Sequence, residues 1–297
     1  MHVFTCDQYP LPLPEGHRFP LEKFRLLREQ LLAAGVISPK DLHAPEAATL
    51  EQLERVHDPG YVQRVMTGQL TPAEVRRLGF PWSPELVERA RRSAGATLGV
   101  CRAALASGVA ASLAGGTHHA GYRHGEGFCV FNDSVLAARA LQAAGLVRRV
   151  VVLDCDVHQG NGTAEICTGD DTVFTFSIHG EKNFPLRKHP GDLDIALPDG
   201  TGDATYLAAL EHGVHQALER ARADLAIYVA GSDPYLDDRL GRLALTKPGL
   251  AERDRLVFDA CRRAGLPLAI TMAGGYARNI LDTVDIQART IHLAAGL

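Results

Sequence analysis

The apolar and polar positions divide the chain into two stretches of different character. In the first, helical spacing dominates. Leu21, Phe24, Leu27, Leu31 and Leu32 share one face of a predicted helix over 21–34, which Gly35 closes. A short apolar run at 3–6 predicts a first strand, followed by a Pro-rich loop. Leu53 and Val56, then Tyr61, Val62 and Val65, predict short helices interrupted at Asp58-Pro59-Gly60. Residues 68–84, with Gly79, Pro81 and Pro84, read as a loop. A long helix is predicted over 84–107, with Pro at its start and Gly108 just beyond its end.

From residue 109 onward the pattern alternates. Short apolar, β-branched runs predict strands at 109–113, 149–154, 172–178, 225–230 and 268–272. Helices are predicted at 132–144, 206–221, within 247–265, and at 283–293. The first of these starts on a cap at Asn132 or Asp133 and stops at Gly145. Between them, 179–202 reads as one long loop. Strands alternating with helices argue for an α/β fold: a doubly wound, mostly parallel sheet flanked by helices on both faces. No repeat, low-complexity tract or linker divides the chain, so 1–297 reads as a single domain.

Composition narrows this picture. Among 297 residues, 46% are hydrophobic and 22% charged, an ordinary soluble globular balance. A net charge of −4 leaves no basic footprint for direct nucleic-acid binding. No apolar run is long enough for a membrane span. Residues 1–14 lack a basic head followed by an apolar core, so no signal peptide is expected there. None of the six cysteines forms a CxxC pair, which reads as reduced thiols in a cytoplasmic protein. Richness in Ala, Arg, Leu and Gly suggests a bacterial source.

The candidate chemistry gathers at strand ends. The run Val150-Val151-Val152-Leu153 passes directly into Asp154-Cys155-Asp156-Val157-His158, then reaches Gly160 and Gly162. Side chains two apart on an extended strand face the same way, so two carboxylates and an imidazole point into one crevice, where a divalent metal is the usual reason to gather them. His118 and His119 follow the strand at 109–113, Asp233 follows that at 225–230, and Tyr276 follows that at 268–272. Singly, each has a plainer reading: loop histidines, a turn Asp before Pro234, a packed tyrosine. Four strands delivering such groups to the carboxyl edge of one parallel sheet, where ligands bind, favours an active site over that reading.

Five segments, GGTHHAG, GFCVFND, VVLDCDVHQGNGT, AGSDP and AGGYARN, occur in this order and together resemble the zinc-dependent histone deacetylase family across nearly the whole chain. The run from Asp237 through Asp238, Arg239, Leu240, Gly241 and Arg242 to Leu243, with His17-Arg18-Phe19-Pro20, is most similar to the class IV branch and its bacterial relatives. The resemblance implies an arginase/deacetylase fold, with one zinc ion per chain on Asp156, His158 and Asp233. It implies that His119 takes and returns a proton, that His118 assists beside it, and that Tyr276 donates to the oxyanion. Asp154 would orient His118, and Asn161 would orient His119. A structural potassium ion would rest on backbone carbonyls of Asp154, Asp156, His158, Ser177 and Ile178. Gly127, Phe128, Phe184 and Gly274 would line an acyl-lysine tunnel. The implied reaction removes acetyl or longer fatty acyl groups from lysine in a protein or peptide. The alternative is an acetylpolyamine or another small acylated amine, hydrolysed by the same chemistry. Ala120, Gly121, Gly125 and Gly127 are small enough to suggest room for a longer chain.

Two positions depart from the class I pattern. Asn161 stands where a second carboxylate would sit, and Phe80-Pro81-Trp82 lacks the Asp that grips a peptide backbone. A dimetal ureohydrolase on the same fold would need carboxylates where Gly160 and Tyr235 stand. A catalytically dead binding module is disfavoured, because His118, His119, Tyr276 and the three metal-ligand candidates are all intact.

Overall fold

The computed structural model describes residues 1–297. Its strands are β1 (His2–Phe4), β2 (Leu42–His43), β3 (Val109–Ser112), β4 (Val150–Asp154), β5 (Val173–Gly180), β6 (Leu193–Leu197), β7 (Leu225–Ala230) and β8 (Leu268–Met272). They form one eight-stranded sheet in the order β2-β1-β3-β8-β7-β4-β5-β6, and every pairing is parallel. The chain builds one edge first, crosses to build the other, and returns to fill the middle with β7 and β8. The four strands expected to carry chemistry, β3, β8, β7 and β4, are therefore consecutive neighbours at the centre of the sheet.

Both faces are covered. Along β4, Val151 and Leu153 enter one core with Leu27 and Leu31 of α1 (Glu22–Ala33), Tyr206 of α8 (Asp203–Ala221), Val257 of α9 (Lys247–Arg263) and Ile291 of α10 (Ile280–Ala294). Val150 and Val152 enter the other with Leu98 of α5 (Pro84–Ser107) and Leu136 of α6 (Asp133–Ala143). Adjacent strand residues project to opposite faces, so a strand buried on both sides must be apolar throughout, which is the continuous Val-Val-Val-Leu run of β4.

Several elements differ from the sequence expectation, among them the two-residue strand β2, which no pattern predicts. The interruption at Asp58-Pro59-Gly60 is the start of α3 (Pro59–Thr67): Asp58 caps it through the Tyr61 N–H at 3.0 Å, and Pro59 occupies its first turn. The expected loop at 68–84 contains α4 (Pro72–Leu78), started by a reciprocal capping box between Thr71 and Glu74. The expected long loop at 179–202 contains the edge strand β6, in which half-exposed Leu193 and Ile195 alternate with exposed Asp194 and Ala196. A short helix, α7 (Asn161–Ile166), begins directly after Gly160. No helix is long and apolar enough to cross a membrane, and all six cysteines are free and buried.

The register aligns one row across the sheet: Ser112 beside Thr271, Thr271 beside Val229, Val229 beside Asp154, and Asp154 beside Ser177. The loops leaving this row at its carboxyl side converge on one crevice.

Candidate active site

Asp156, His158 and Asp233 are buried and each offers a ligand atom, all within 4.8 Å of one another; no other group of three or more His, Cys, Asp and Glu side chains does so. Backbone donors fix both carboxylates. Asp156 accepts from the N–H groups of His158 at 2.9 Å and Gly274 at 2.8 Å, and Asp233 Oδ1 accepts from that of Val157 at 2.9 Å. His158 Nδ1 lies 2.9 Å from Asp156 Oδ1 and 3.2 Å from Asp233 Oδ2. Asp233 Oδ2 has no hydrogen-bond partner of good geometry despite full burial. Burial and then the neighbouring Asp156 charge push the Asp233 carboxyl up to about 7. Burial opposes a charged His158, but the two carboxylates flanking it outweigh this and raise it to about 10. The pocket calls for positive charge. Two carboxylate oxygens, one of them the orphaned Asp233 Oδ2, and one imidazole nitrogen fit a divalent ion of the zinc type.

Gly274 permits this closeness, because a Cβ there would overlap Asp233 Oδ2. Gly160 does the same on the other side: its Cβ would sit 2.5 Å from Asp154 Oδ2. The position where a second metal would need a carboxylate thus has no room for a side chain.

His118 and His119 lie beside the cluster, their ring centroids 4.1 Å apart. His118 Nδ1 is 2.6 Å from Asp154 Oδ2, and His119 Nδ1 is 2.6 Å from Asn161 Oδ1. Their partners separate them electrostatically. Burial disfavours a charged His118, but Asp154 and Asp156 outweigh it and raise the ring to about 9. His119 has a neutral amide partner; burial, then the charges of His118 and His158, hold it well below the ordinary imidazole range. One buried imidazole is cationic and its neighbour is free to accept a proton.

A cavity of about 510 Å³ joins these groups. Gly127, Phe128, Phe184, Gly274 and Tyr276 all line it with His118, His119, Asp156, His158 and Asp233. The Phe184 ring meets His119 edge-on, 4.9 Å between centroids. Phe128 takes a left-handed backbone conformation, φ 69°, and packs on Phe19 and Phe80. Burial keeps the Tyr276 phenol protonated, so it is a hydrogen-bond donor. Trp82 is tied to the Val65 carbonyl at 2.7 Å, and no carboxylate of the 80–82 stretch faces the cavity. Asp154, Ser177 and Ile178 do not line the cavity: Asp154 reaches it through His118, and Ser177, its neighbour on β5, lies with Oγ 2.9 Å from His179 Nδ1.

The expectation about small residues fails in part. Ala120, Gly121 and Gly125 do not line the cavity. A Cβ on Gly121 would press on Glu165 at 2.6 Å, and one on Gly125 on the Tyr61 hydroxyl at 2.6 Å. These residues let the loop pack tightly. The available space lies elsewhere: the same cavity reaches Leu11, Phe24, Leu86, Ala90 and Ala114.

Sequence reasoning missed three supporting residues. Asp133, read only as a helix cap, accepts from the N–H groups of Gly116 at 2.9 Å and Thr117 at 2.8 Å, fixing the strand-to-histidine turn. Asp238 accepts from the N–H groups of Tyr276 at 2.6 Å, Leu240 at 2.8 Å and Gly241 at 2.9 Å. Arg253 is fully buried against Asp254 and donates to the carbonyls of Cys155, just before Asp156, and Gly231, two before Asp233. Each looks like an ordinary surface charge in sequence. The available signals were GFCVFND, the 237–243 run, and an Arg on the core-facing stripe of α9.

Comparison with known proteins assigns the family. Residues 17–289 match the histone deacetylase domain model, so the chain belongs to the histone deacetylase family. An uncharacterized protein of Picosynechococcus sp. is 48% identical over 95% of this chain and 94% of its own length. A histone deacetylase-like amidohydrolase of Pseudomonas aeruginosa is 33% identical over 90% of this chain and 74% of its own. A crystal structure of a histone deacetylase homolog complexed with SAHA superimposes with a TM-score of 0.86 at 25% identity, covering 99% of this chain and 83% of that one.

Proposed function

We propose that this deacetylase-family enzyme hydrolyses the side-chain amide of acyl-lysine, accepting acyl groups longer than acetyl. The observation that carries the reading is the single cavity that meets His118, His119, Tyr276 and the Asp156–His158–Asp233 cluster and also reaches apolar walls at Leu11, Phe24, Leu86, Ala90 and Ala114. A zinc-type ion held by Asp156, His158 and Asp233 would supply polarisation of the amide carbonyl and a more acidic water.

The chain's own groups supply the rest. Neutral His119, oriented through Nδ1 by Asn161, presents its other ring nitrogen to take a proton from water and return it to the leaving amine. Cationic His118, paired to Asp154, adds positive charge where negative charge develops. Tyr276 donates its phenolic proton in a hydrogen bond to the tetrahedral oxyanion. Phe128 and Phe184 exclude water along the lysine stem. The carbonyls of Asp154, Asp156, His158, Ser177 and Ile178 are the proposed cradle of a structural potassium ion, close behind the ligand loop.

An apolar acyl chain contributes about 0.8 kcal/mol per buried methylene, which offsets the missing backbone grip at 80–82. The test compares kcat/KM for acetyl-, octanoyl- and myristoyl-lysine on one peptide. Octanoyl- or myristoyl-lysine is expected to exceed acetyl-lysine. Acetyl-lysine as the best substrate would refute the long-chain part. A small acylated amine that beats every peptide would favour the small-amide reading, to which the relative named an amidohydrolase is relevant.

A further inference from the structure

The cavity's charge changes along its length. Around the reacting groups the lining combines the carboxylates of Asp156 and Asp233 with the imidazoles of His118, His119 and His158. Of the other Lys, Arg, Asp and Glu side chains that line the cavity, the exposed ones are all cationic: Arg18, Arg77, Lys182 and Arg242. Exposed lining residues mark the opening, so this is the charge of the mouth. One half-buried carboxylate, Glu126, stands among them. It takes up Arg77 at 3.5 Å, and Arg242 pairs outward with Asp199 at 2.8 Å. Lys182 forms no ion pair, and Arg18 has none either; its guanidinium lies over the Phe128 ring, 5.0 Å from the centroid. The chain as a whole carries −4, so the basic mouth runs against its average.

We propose that this rim selects acyl-lysine carried on an acidic segment, with Asp or Glu beside the modified lysine, and turns away polycationic acyl amines. The inference rests on the hydrolase reading above and adds the carrier's charge to it. Charges lining a low-dielectric opening focus the field on what approaches. A polyamine would bring its ammonium groups against Arg18 and Lys182, whereas a carboxylate flanking the lysine meets two cations that have no partner.

The test uses metal-loaded full-length enzyme and one acyl group on three peptides of equal length, flanked by Asp, by Gly or by Lys, together with an N-acylated spermidine. Rates are taken as ratios to the Gly peptide, so that a general loss of activity cancels. At low salt the Asp peptide should exceed the Lys peptide in kcat/KM by about ten-fold or more, and the gap should shrink as salt rises. Lys182→Glu, and separately Arg18→Gln, should bring the Asp:Lys ratio down several-fold. A small carboxylated amide, 6-acetamidohexanoate, distinguishes an anionic metabolite from an anionic protein segment. If it surpasses the Asp peptide, the protein carrier is wrong. Preference for the Lys peptide or the spermidine, or a ratio unmoved by both substitutions, overturns the inference while leaving the hydrolase reading intact. No turnover of the Gly peptide overturns the hydrolase reading itself, and the inference with it.

Discussion

Asp238→Asn removes one charge and almost no volume, and the structure says what it should do. Asp238 Oδ1 accepts from Leu240 and Gly241, and Oδ2 accepts from the Tyr276 N–H at 2.6 Å. An asparagine has only one acceptor oxygen. If that oxygen stays with Leu240 and Gly241, the amide N–H groups confront the Tyr276 N–H. If it turns to Tyr276, they confront the other two. In either orientation a buried donor faces a donor, and a charge-assisted bond worth about 1.5–3 kcal/mol is lost. If that loss is felt wholly in how Tyr276 is held, it corresponds to about a ten- to hundred-fold fall in rate. The assay is kcat and KM on one acyl-lysine peptide, with metal content and melting temperature measured on the same preparation. kcat should fall, with KM and metal content little changed. Asp237→Asn is the control: Asp237 makes a surface pair with Arg278 at 3.1 Å, and its loss should matter little. A lowered melting temperature with kcat preserved would refute the reasoning, because Asp238 would then brace the loop without placing the tyrosine.

Tyr276→Phe should keep fold and metal and lose about 10²–10³ in turnover, the usual cost of one oxyanion donor, with kcat carrying most of the loss. Near wild-type turnover would mean that Tyr276 is only packed. Arg253→Met should cost about 3–5 kcal/mol by leaving Asp254 buried without its ion partner, and Arg253→Met with Asp254→Leu should recover part of it. Thermal or denaturant melts measure both, and equal destabilisation by the single and double variants would contradict the ion-pair account.

The site was legible because its residues sit where pattern is strongest. β4, β7 and β8 are buried on both faces, so their apolar runs end sharply, and the polar residue that follows each run is conspicuous. The edges were less legible. β6 alternates between half-exposed and exposed positions and β2 has two residues, too little for a periodic signal. α4 was masked by the Pro and Gly around it, although Thr71 and Glu74 stand at capping-box spacing. Strand order was not legible at all, since β7 and β8 come late in the chain yet fill the centre. The supports at Asp133, Asp238 and Arg253 stayed hidden because a charged residue carries no mark of burial until its partners, distant in sequence, are brought to it. The small residues near His119 misled for the same reason, since composition does not distinguish space from tight packing.

The central claim is that one ion on Asp156, His158 and Asp233 makes this chain an acyl-amide hydrolase. The most direct measurement is elemental analysis coupled to turnover: wild type and Asp233→Ala, each stripped by chelator and titrated with zinc. The account predicts one ion per wild-type chain, turnover lost on stripping and regained at one equivalent, and little metal or activity in Asp233→Ala. Two ions per wild-type chain, undiminished metal in the variant, or turnover by the stripped enzyme would contradict it.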